Sequence, residues 1–171
     1  GPGNEGDPAQ AAGELRESVW STGIGPDYIE QAFRIAHEID PAVKLVYNDY
    51  GAENMNPKSD AIYAMLKDFK ARGVPVHGVG FQAHVTLADI DQAQFARNLQ
   101  RFADLGLEIY ITELDVRLPE NPTAVGLADQ ARVYGDILKT CLAQPAVKGI
   151  QTWGFTDKYS WIPHFFKGFG D

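Results

Sequence analysis

Leu107-Glu-Ile-Tyr-Ile-Thr112, followed directly by Glu113-Leu-Asp115, is the stretch that decides the fold of this chain. Its apolar residues recur at every second position, which predicts a β-strand. Gly106 stands just before it and indicates the end of a helix, on which Phe95 and Phe102 share an apolar face. The chain therefore contains a helix that leads into a short apolar strand, and two carboxylates follow that strand.

The same unit of helix and strand recurs along the sequence. Strands are predicted to begin near residues 44, 77, 107 and 148, about 30 to 40 residues apart. Strands separated by a helix run parallel with right-handed crossovers. The fold class is therefore predicted to be α/β, with about four parallel strands alternating with helices. The spacing alone leaves open whether they form a small open sheet or half of an eight-stranded barrel.

The helices are predicted from their caps and from apolar spacing. The first begins at Pro26 and ends at Asp40-Pro41. Ser59 or Asp60 is predicted to cap the second. The last is predicted to run from about Leu127 to Leu142. Its apolar side is predicted to carry Ala131, Tyr134, Leu138 and either Cys141 or Leu142.

Residues 1–25 are predicted to form a loop that packs only near Trp20, because small and polar residues dominate there. Core packing is the expected role of Trp20 and also of Phe165. Gly1-Pro2-Gly3 resembles the remnant of a cleaved purification tag, so natural residues are expected to precede this chain. No signal peptide is visible in the chain itself.

The composition is that of an ordinary globular domain with an acidic balance. The chain has 171 residues, with 15 Lys and Arg against 23 Asp and Glu, and a net charge of -8. This balance argues against nucleic acid and anionic membranes as partners, and the apolar runs are too short to span a bilayer. The single cysteine, Cys141, makes no intrachain disulfide. The His and Cys residues lack metal-ligand spacing, so neither metal nor cofactor is expected.

Polar and aromatic side chains follow each predicted strand, where the working residues of α/β folds lie. The carboxyl ends of the four strands are predicted to bring these clusters to one rim. The clusters are Asn48-Asp49-Tyr50, Gln82-Ala83-His84, Thr112-Glu113-Leu114-Asp115 and Trp153 to Asp157, followed by Tyr159 and Trp161. This coincidence predicts an active site.

Glu113 is the central candidate in this rim. Side chains on alternate residues of a strand share one face, so Glu113 is predicted to lie on the same side as Ile111. A carboxylate beside an apolar strand costs free energy unless it is paired or serves in the chemistry of the site. Gln82 and His84 are also two residues apart, so both are predicted to face the same site, and Asp115 to hold the imidazole. The alternatives are structural: a helix cap or ion pair for Glu113, a structural histidine, and a turn aspartate.

Aromatic residues at the rim indicate the class of ligand. Trp153 and Trp161 flank the last strand end, and Tyr50 follows the first. Flat apolar faces beside acidic groups suit sugar rings, which present C–H faces and hydroxyl edges. The alternative is ordinary core packing.

Several ordered motifs together resemble glycoside hydrolase family 10, the endo-β-1,4-xylanases. The resemblance extends from about residue 13 to residue 171. The motifs are His77-Gly-Val-Gly-Phe-Gln82-Ala-His84, Ile111-Thr-Glu113-Leu-Asp115, Trp153-Gly-Phe-Thr-Asp-Lys-Tyr-Ser-Trp161, Tyr47-Asn-Asp-Tyr50 and Leu15-Arg-Glu-Ser-Val-Trp20.

The resemblance implies a (β/α)8 barrel that hydrolyses xylan with retention of configuration, without metal or cofactor. It implies Glu113 as the nucleophile, His84 as its hydrogen-bond partner and Asp115 as the support of His84. Glu5, in Asn4-Glu5, is the only match to the family's acid/base glutamate. The expected substrate-binding residues are Gln82, Trp153, Trp161, Tyr50 and Asn48.

The matched motifs correspond to barrel strands five to eight, with residues 26–171 forming the strand-helix units of a partial catalytic domain. A complementary N-terminal half barrel or a second copy of the chain is therefore expected as a partner, with xylan as substrate and a secreted location. The alternative is a catalytically incomplete fragment that only binds carbohydrate or assembles with such a half. A cellulase-like specificity is a third, minor reading.

Overall fold

The computed structural model describes residues 16–170, in which helices alternate with parallel strands. The strands are β1 (Val46–Asp49), β2 (Gly78–Phe81), β3 (His84–Val85), β4 (Glu108–Val116), β5 (Leu118–Pro119), β6 (Val147–Thr152) and β7 (Phe169–Gly170). The helices are α1 (Val19–Gly23), α2 (Tyr28–Ile39), α3 (Pro57–Ala71), α4 (Gln92–Asp104), α5 (Ala124–Leu142) and α6 (Ile162–Phe165), with a 3-10 turn at Asp157–Tyr159.

The main sheet confirms the predicted parallel α/β arrangement. Its strands lie in the order β1, β2, β4, β6, and every neighbouring pair is parallel. The core lies between this sheet and the helices, where Phe95, Leu99 and Phe102 of α4 are buried against Ile109 and Ile111 of β4. The carboxyl ends of the four strands therefore lie at one edge of the sheet, as the spacing predicted.

Two short pairings extend this arrangement and were not predicted. β3 pairs in parallel with the end of β4, with His84 opposite Asp115. β5 and β7 form a separate antiparallel pair, which joins the chain that follows β4 to the last described residues. Within residues 16–170, no helix combines the length and apolarity that a membrane crossing requires.

The prediction of a loop over residues 1–25 is wrong for α1. Ser18 caps this short helix by accepting a hydrogen bond from the Ser21 N–H, and the Ser21 hydroxyl oxygen accepts one from the Ser18 N–H. The predicted core packing of Trp20 and Phe165 is also wrong, because their side chains are 61% and 50% exposed. Trp20 lies on a five-residue helix that has no buried residues. The Phe165 ring lies against Trp161 at the protein surface.

The second long helix begins earlier than its predicted caps. Asn56 is the N-cap of α3, and its side chain accepts a hydrogen bond from the Ser59 N–H, with Pro57 in the first turn. Ser59 is instead fully buried and bonds Asn98 of α4. The prediction failed because Asn, Ser and Asp are all good caps and occur within five residues.

The buried face of α5 includes Cys141, one of the two predicted alternatives, but its other residues lie one position before the predicted ones. Val133, Ile137 and Cys141 are buried, whereas Leu138 and Leu142 are 46% and 76% exposed. The sequence carries two apolar stripes at helical spacing, and the contacts with α4 and β4 determine which one is covered.

β4 is longer than predicted, so Glu113 and Asp115 lie inside a strand. Its pairing with β6 shifts register between Ile111 and Leu114. Buried apolar residues on β4 therefore fall at 109 and 111 before the shift and at 114 and 116 after it. The prediction that Glu113 shares the side of Ile111 is wrong, because this irregularity turns it to the opposite face.

We expect Ile137→Ala to lower the free energy of unfolding by about 2–5 kcal/mol, since Ile137 is 1% exposed in the core. Leu142→Ala is the matched control on the same helix and should cost about 0.5 kcal/mol or less, because Leu142 is 76% exposed. Urea unfolding of the 171-residue chain measures both. Equal losses would show that the buried face of α5 is assigned incorrectly.

Candidate active site

Asn48, at the end of β1, connects two neighbouring residues of β4. Its Nδ2 donates to Oε1 of Glu113 at 3.1 Å. Its Oδ1 accepts a hydrogen bond from the Thr112 hydroxyl at 2.7 Å. Thr112 therefore fixes the orientation of the amide, and the amide in turn holds one carboxylate oxygen of Glu113.

Gly80 of β2 leaves room for this contact. A Cβ at position 80 would lie 2.5 Å from Oδ1 of Asn48 and 3.0 Å from Cγ2 of Thr112. The side chains of Asn48 and Thr112 thus meet across the glycine, on the face of the sheet opposite the helices. This role of Gly80 and Thr112 was not predicted from the sequence. The available signal was a glycine, Gly80, in a strand whose neighbours end in polar residues.

His84 lies between two carboxylates. Its Nε2 is 3.1 Å from Oε2 of Glu113, and its Nδ1 is 2.9 Å from Oδ2 of Asp115. Burial lowers the pKa of His84, but the hydrogen bond and charge of Asp115, followed by those of Glu113, outweigh burial and raise it above the ordinary value of 6.5. Only the protonated ring donates from both nitrogens, so this geometry favours an imidazolium.

Asp115 is the buried end of this chain of contacts. The residue is 4% exposed, and the same Oδ2 that meets His84 also accepts the indole N–H of Trp161 at 2.7 Å. Two donors thus fix one oxygen of a buried carboxylate, which satisfies its hydrogen-bonding needs and sets the ring plane of His84.

A sharp turn between β2 and β3 brings His84 to this position. Ala83 has φ +62°, and its carbonyl accepts the Asp115 N–H at 3.2 Å, while the Gln82 carbonyl accepts the Glu113 N–H at 3.0 Å. The prediction that Gln82 and His84 face the same site assumed a continuous strand. That assumption is wrong, because the strand is interrupted between the two residues. His84 reaches Glu113, and Gln82 is tied to it through the backbone.

Aromatic rings surround the histidine. Trp153 and Trp161 both meet His84 edge to face, with ring centroids 6.1 Å and 4.9 Å away. Trp153 is 46% exposed, and the neighbouring Phe155 is 94% exposed. The Trp153 ring is therefore partly open to solvent beside His84, as a stacking surface for a ligand requires.

Tyr50 lies beyond β1, next to an ion pair. Its N–H donates to Oδ1 of Asp49 at 2.9 Å, and its ring lies 3.7 Å from the ammonium of Lys58. Lys58 also pairs with Asp49 at 2.8 Å. Sequence reasoning had assigned Asp49 to a cap or turn, and the ion pair with Lys58 was not predicted.

Glu5 lies outside the described residues, so its predicted place opposite Glu113 stays a prediction. Between residues 16 and 170, no group of three or more His, Cys, Asp or Glu side chains is arranged to hold a metal ion.

The model of Glycosyl hydrolase family 10 matches residues 4–169. The chain belongs to this family. Endo-1,4-beta-xylanase B of Thermotoga neapolitana is 52% identical to it over 161 residues, which are 93% of this chain and 46% of that protein.

Two solved family 10 structures are similar to this one throughout. Native xylanase 10B from Thermotoga maritima superposes with a TM-score of 0.91 at 55% identity, covering 94% of this chain and 50% of that chain. Xylanase 10B from Thermotoga petrophila RKU-1, solved in complex with xylobiose, gives a TM-score of 0.91 at 53% identity, covering 94% and 49%. The chain thus spans about half the length of its relatives, in agreement with the predicted half barrel.

Protonated His84 should stabilise the fold in a pH-dependent way. Because its pKa is raised on folding, its contribution is complete below about pH 6.5, the ordinary value, and is lost as the pH rises through the folded value. We expect the difference in unfolding free energy between the natural chain and His84→Gln to be larger near about pH 6 than near about pH 9. Urea unfolding across this range measures it, and a constant difference would contradict the imidazolium assignment.

Proposed function

We propose that this chain supplies the nucleophile side of a retaining endo-β-1,4-xylanase, with Glu113 as the nucleophile. The observation that carries the proposal is the arrangement of the Glu113 carboxylate, which one amide donor from Asn48 and one ring nitrogen of His84 hold at the open rim of the sheet. An oriented carboxylate beside partly exposed tryptophan is the arrangement that nucleophilic attack on a bound sugar requires.

The reaction would take place in two displacements. Glu113 attacks the anomeric carbon while a carboxylic acid protonates the leaving oxygen; we propose Glu5 for that acid. Water then hydrolyses the glycosyl-enzyme ester, with the same residue acting as base. Retention of configuration requires the two carboxyl groups to lie about 5–5.5 Å apart.

Each remaining contact at the rim has a proposed role in this two-step reaction. His84 fixes the plane of the Glu113 carboxylate, and Asp115 keeps the imidazole protonated and aligned. The amide of Asn48, already 3.1 Å from Glu113, is near enough to meet the 2-hydroxyl of a sugar bound there. Gln82 is proposed to bind the same sugar.

Xylan is the proposed substrate because two kinds of observation agree. The Thermotoga neapolitana relative is named an endo-1,4-beta-xylanase, and the Thermotoga petrophila relative was solved with xylobiose. In this chain, Trp153 and Trp161 offer flat apolar surfaces next to the carboxylates, with Tyr50 beyond the first strand. An intact polysaccharide does not cross a membrane, so we also propose that the enzyme acts outside the cell.

A complementary half barrel is the proposed partner. The chain corresponds to about half of its relatives, and within residues 16–170 no strand pairs with the outer edge of β1 or of β6, where a partner could add strands. The missing half would supply the strands that close the barrel, with self-association of two copies as the other possible closure.

An aryl xyloside with a good leaving group tests this proposal, because such a substrate needs little acid assistance. We expect continuous release of the aryl group when the chain is combined with a complementary half barrel. The chain alone should release at most one equivalent. Xylo-oligosaccharide binding without turnover in the combined protein would instead favour a carbohydrate-binding fragment.

Glu113→Gln in the combined protein should lower kcat at least about a thousandfold, because the amide is not a nucleophile. Glu108→Gln is the matched control, since Glu108 is at the opposite end of the same strand and pairs with Lys44 there. It should leave kcat within about twofold. Equal activity of Glu113→Gln and the natural protein would disprove the assignment of Glu113.

A further inference from the structure

We propose that Glu53, on the loop after β1, is a positioning residue: its buried carboxylate holds the turn at Ala83 that presents His84 to Glu113. This inference rests on the proposed function only for its kinetic consequences. Its structural part concerns the orientation of an imidazole ring, which can be measured without a substrate.

Glu53 is a buried carboxylate that the hydrolytic steps do not use. It is 6% exposed, and its Oε1 accepts the Ala83 N–H at 3.0 Å. Burial raises the pKa of Glu53. Hydrogen bonds from the backbone N–H groups of Glu53, Ala83 and Gly51 and the charge of Lys58 lower it, but burial outweighs them. A carboxylate in such a place is costly to keep unless its hydrogen bonds fix something that the protein needs.

The residue that Glu53 fixes, Ala83, has a strained backbone near the rim. Ala83 adopts φ +62°, which side chains other than glycine rarely occupy. Its N–H is held by Glu53 and its carbonyl by the Asp115 N–H, so the peptide groups on both sides of Ala83 are fixed. Strain of this kind persists only where surrounding contacts over-determine the backbone.

These two contacts decide where the catalytic groups point. Gln82 and His84 flank Ala83 directly, and the two carbonyls of the turn pair with the N–H groups of Glu113 and Asp115. A rotation of the Ala83 peptide would therefore move His84 relative to both of its carboxylate partners. A displacement of about 1 Å in such a contact can cost about 100-fold in rate.

A buried polar network holds Glu53 itself. The amide Nδ2 of Asn98 donates to the carbonyls of Ala52 and Glu53 at 2.7 Å and 2.8 Å. Its Oδ1 accepts from the Ser59 hydroxyl and from Nε of Arg101, both at 2.8 Å. Asn98 and Ser59 are fully buried, so the loop carrying Glu53 is pinned to α3 and α4. The contacts then form one connected path from the helix layer to Glu113.

Two variants of Glu53 test the proposal in the combined, barrel-forming protein. Glu53→Gln keeps the size but brings N–H donors against backbone donors, and Glu53→Asp keeps the charge but is one methylene too short to reach Ala83. We expect each to lower kcat about 10- to 100-fold with KM changed less than about threefold. The second variant keeps the test decisive if the first does not fold.

The matched control is Glu30→Gln on α2. Glu30 pairs with Arg34 and Arg72, away from the rim, so its loss should lower the melting temperature and leave kcat unchanged. A purely structural role for Glu53 would give that same pattern, a lower melting temperature with unchanged kcat, and would overturn the proposal.

Ring nitrogen shifts of His84 in 15N NMR provide the readout that needs no activity. We expect both nitrogens to report protonation in the natural protein at about pH 6 and at least one to change in each Glu53 variant. Unchanged shifts in both variants would refute positioning, whatever the substrate. If the natural protein has no xylosidase activity but the Glu53 variants still change the nitrogen shifts of His84, only the proposed function is refuted.

Ala83→Gly provides an independent check on the mechanism. Glycine occupies φ +62° without strain, so the kcat loss from Glu53→Gln should be smaller when position 83 is glycine. Strict additivity of the two changes would show that Glu53 does not act through this turn.

Discussion

A single imidazole held between two carboxylates is the constraint on which this rim depends. His84 meets Asp115 with one nitrogen and Glu113 with the other, and those carboxylates lie two residues apart on one strand. The ring donates to both carboxylates only when it is protonated, and it reaches both only when all three backbone positions are fixed. The parallel sheet, the turn at Ala83 and the packing of Trp161 can each be understood as a means of meeting that requirement.

Much of this arrangement could be predicted from spacing alone. Four apolar stretches about 30 to 40 residues apart determine a parallel sheet, and a parallel sheet brings its carboxyl ends together. Glu113, His84 and Asp115 could thus be placed at one rim before any coordinates. The face of α5 could not, because the stripe through Leu138 and the stripe through Ile137 are equally apolar, and only the neighbouring layer distinguishes them. Long-range contacts, such as the one between Glu53 and Ala83, leave no periodic signal at all.

Local contacts hold the rim together in a chain that spans about half the length of its relatives. Buried polar groups of α3 and α4 reach the turn through the loop after β1, and a pair of short antiparallel strands fastens the chain beyond Trp161. The nucleophile side can therefore be preorganised by local contacts. The opposing acid, for which we propose Glu5, must in addition lie at the right distance from Glu113 across the cleft.

The register shift in β4 has a consequence for how such a strand can change its length. In a regular strand Thr112 and Glu113 would point to opposite faces, yet here both reach Asn48. The extra residue between Ile111 and Leu114 is what places an acidic group and its hydroxyl neighbour on one surface. Loss of one residue there would restore the regular alternation of the strand, so Thr112 and Glu113 could no longer both reach Asn48. The strand therefore tolerates substitution far better than deletion at this point.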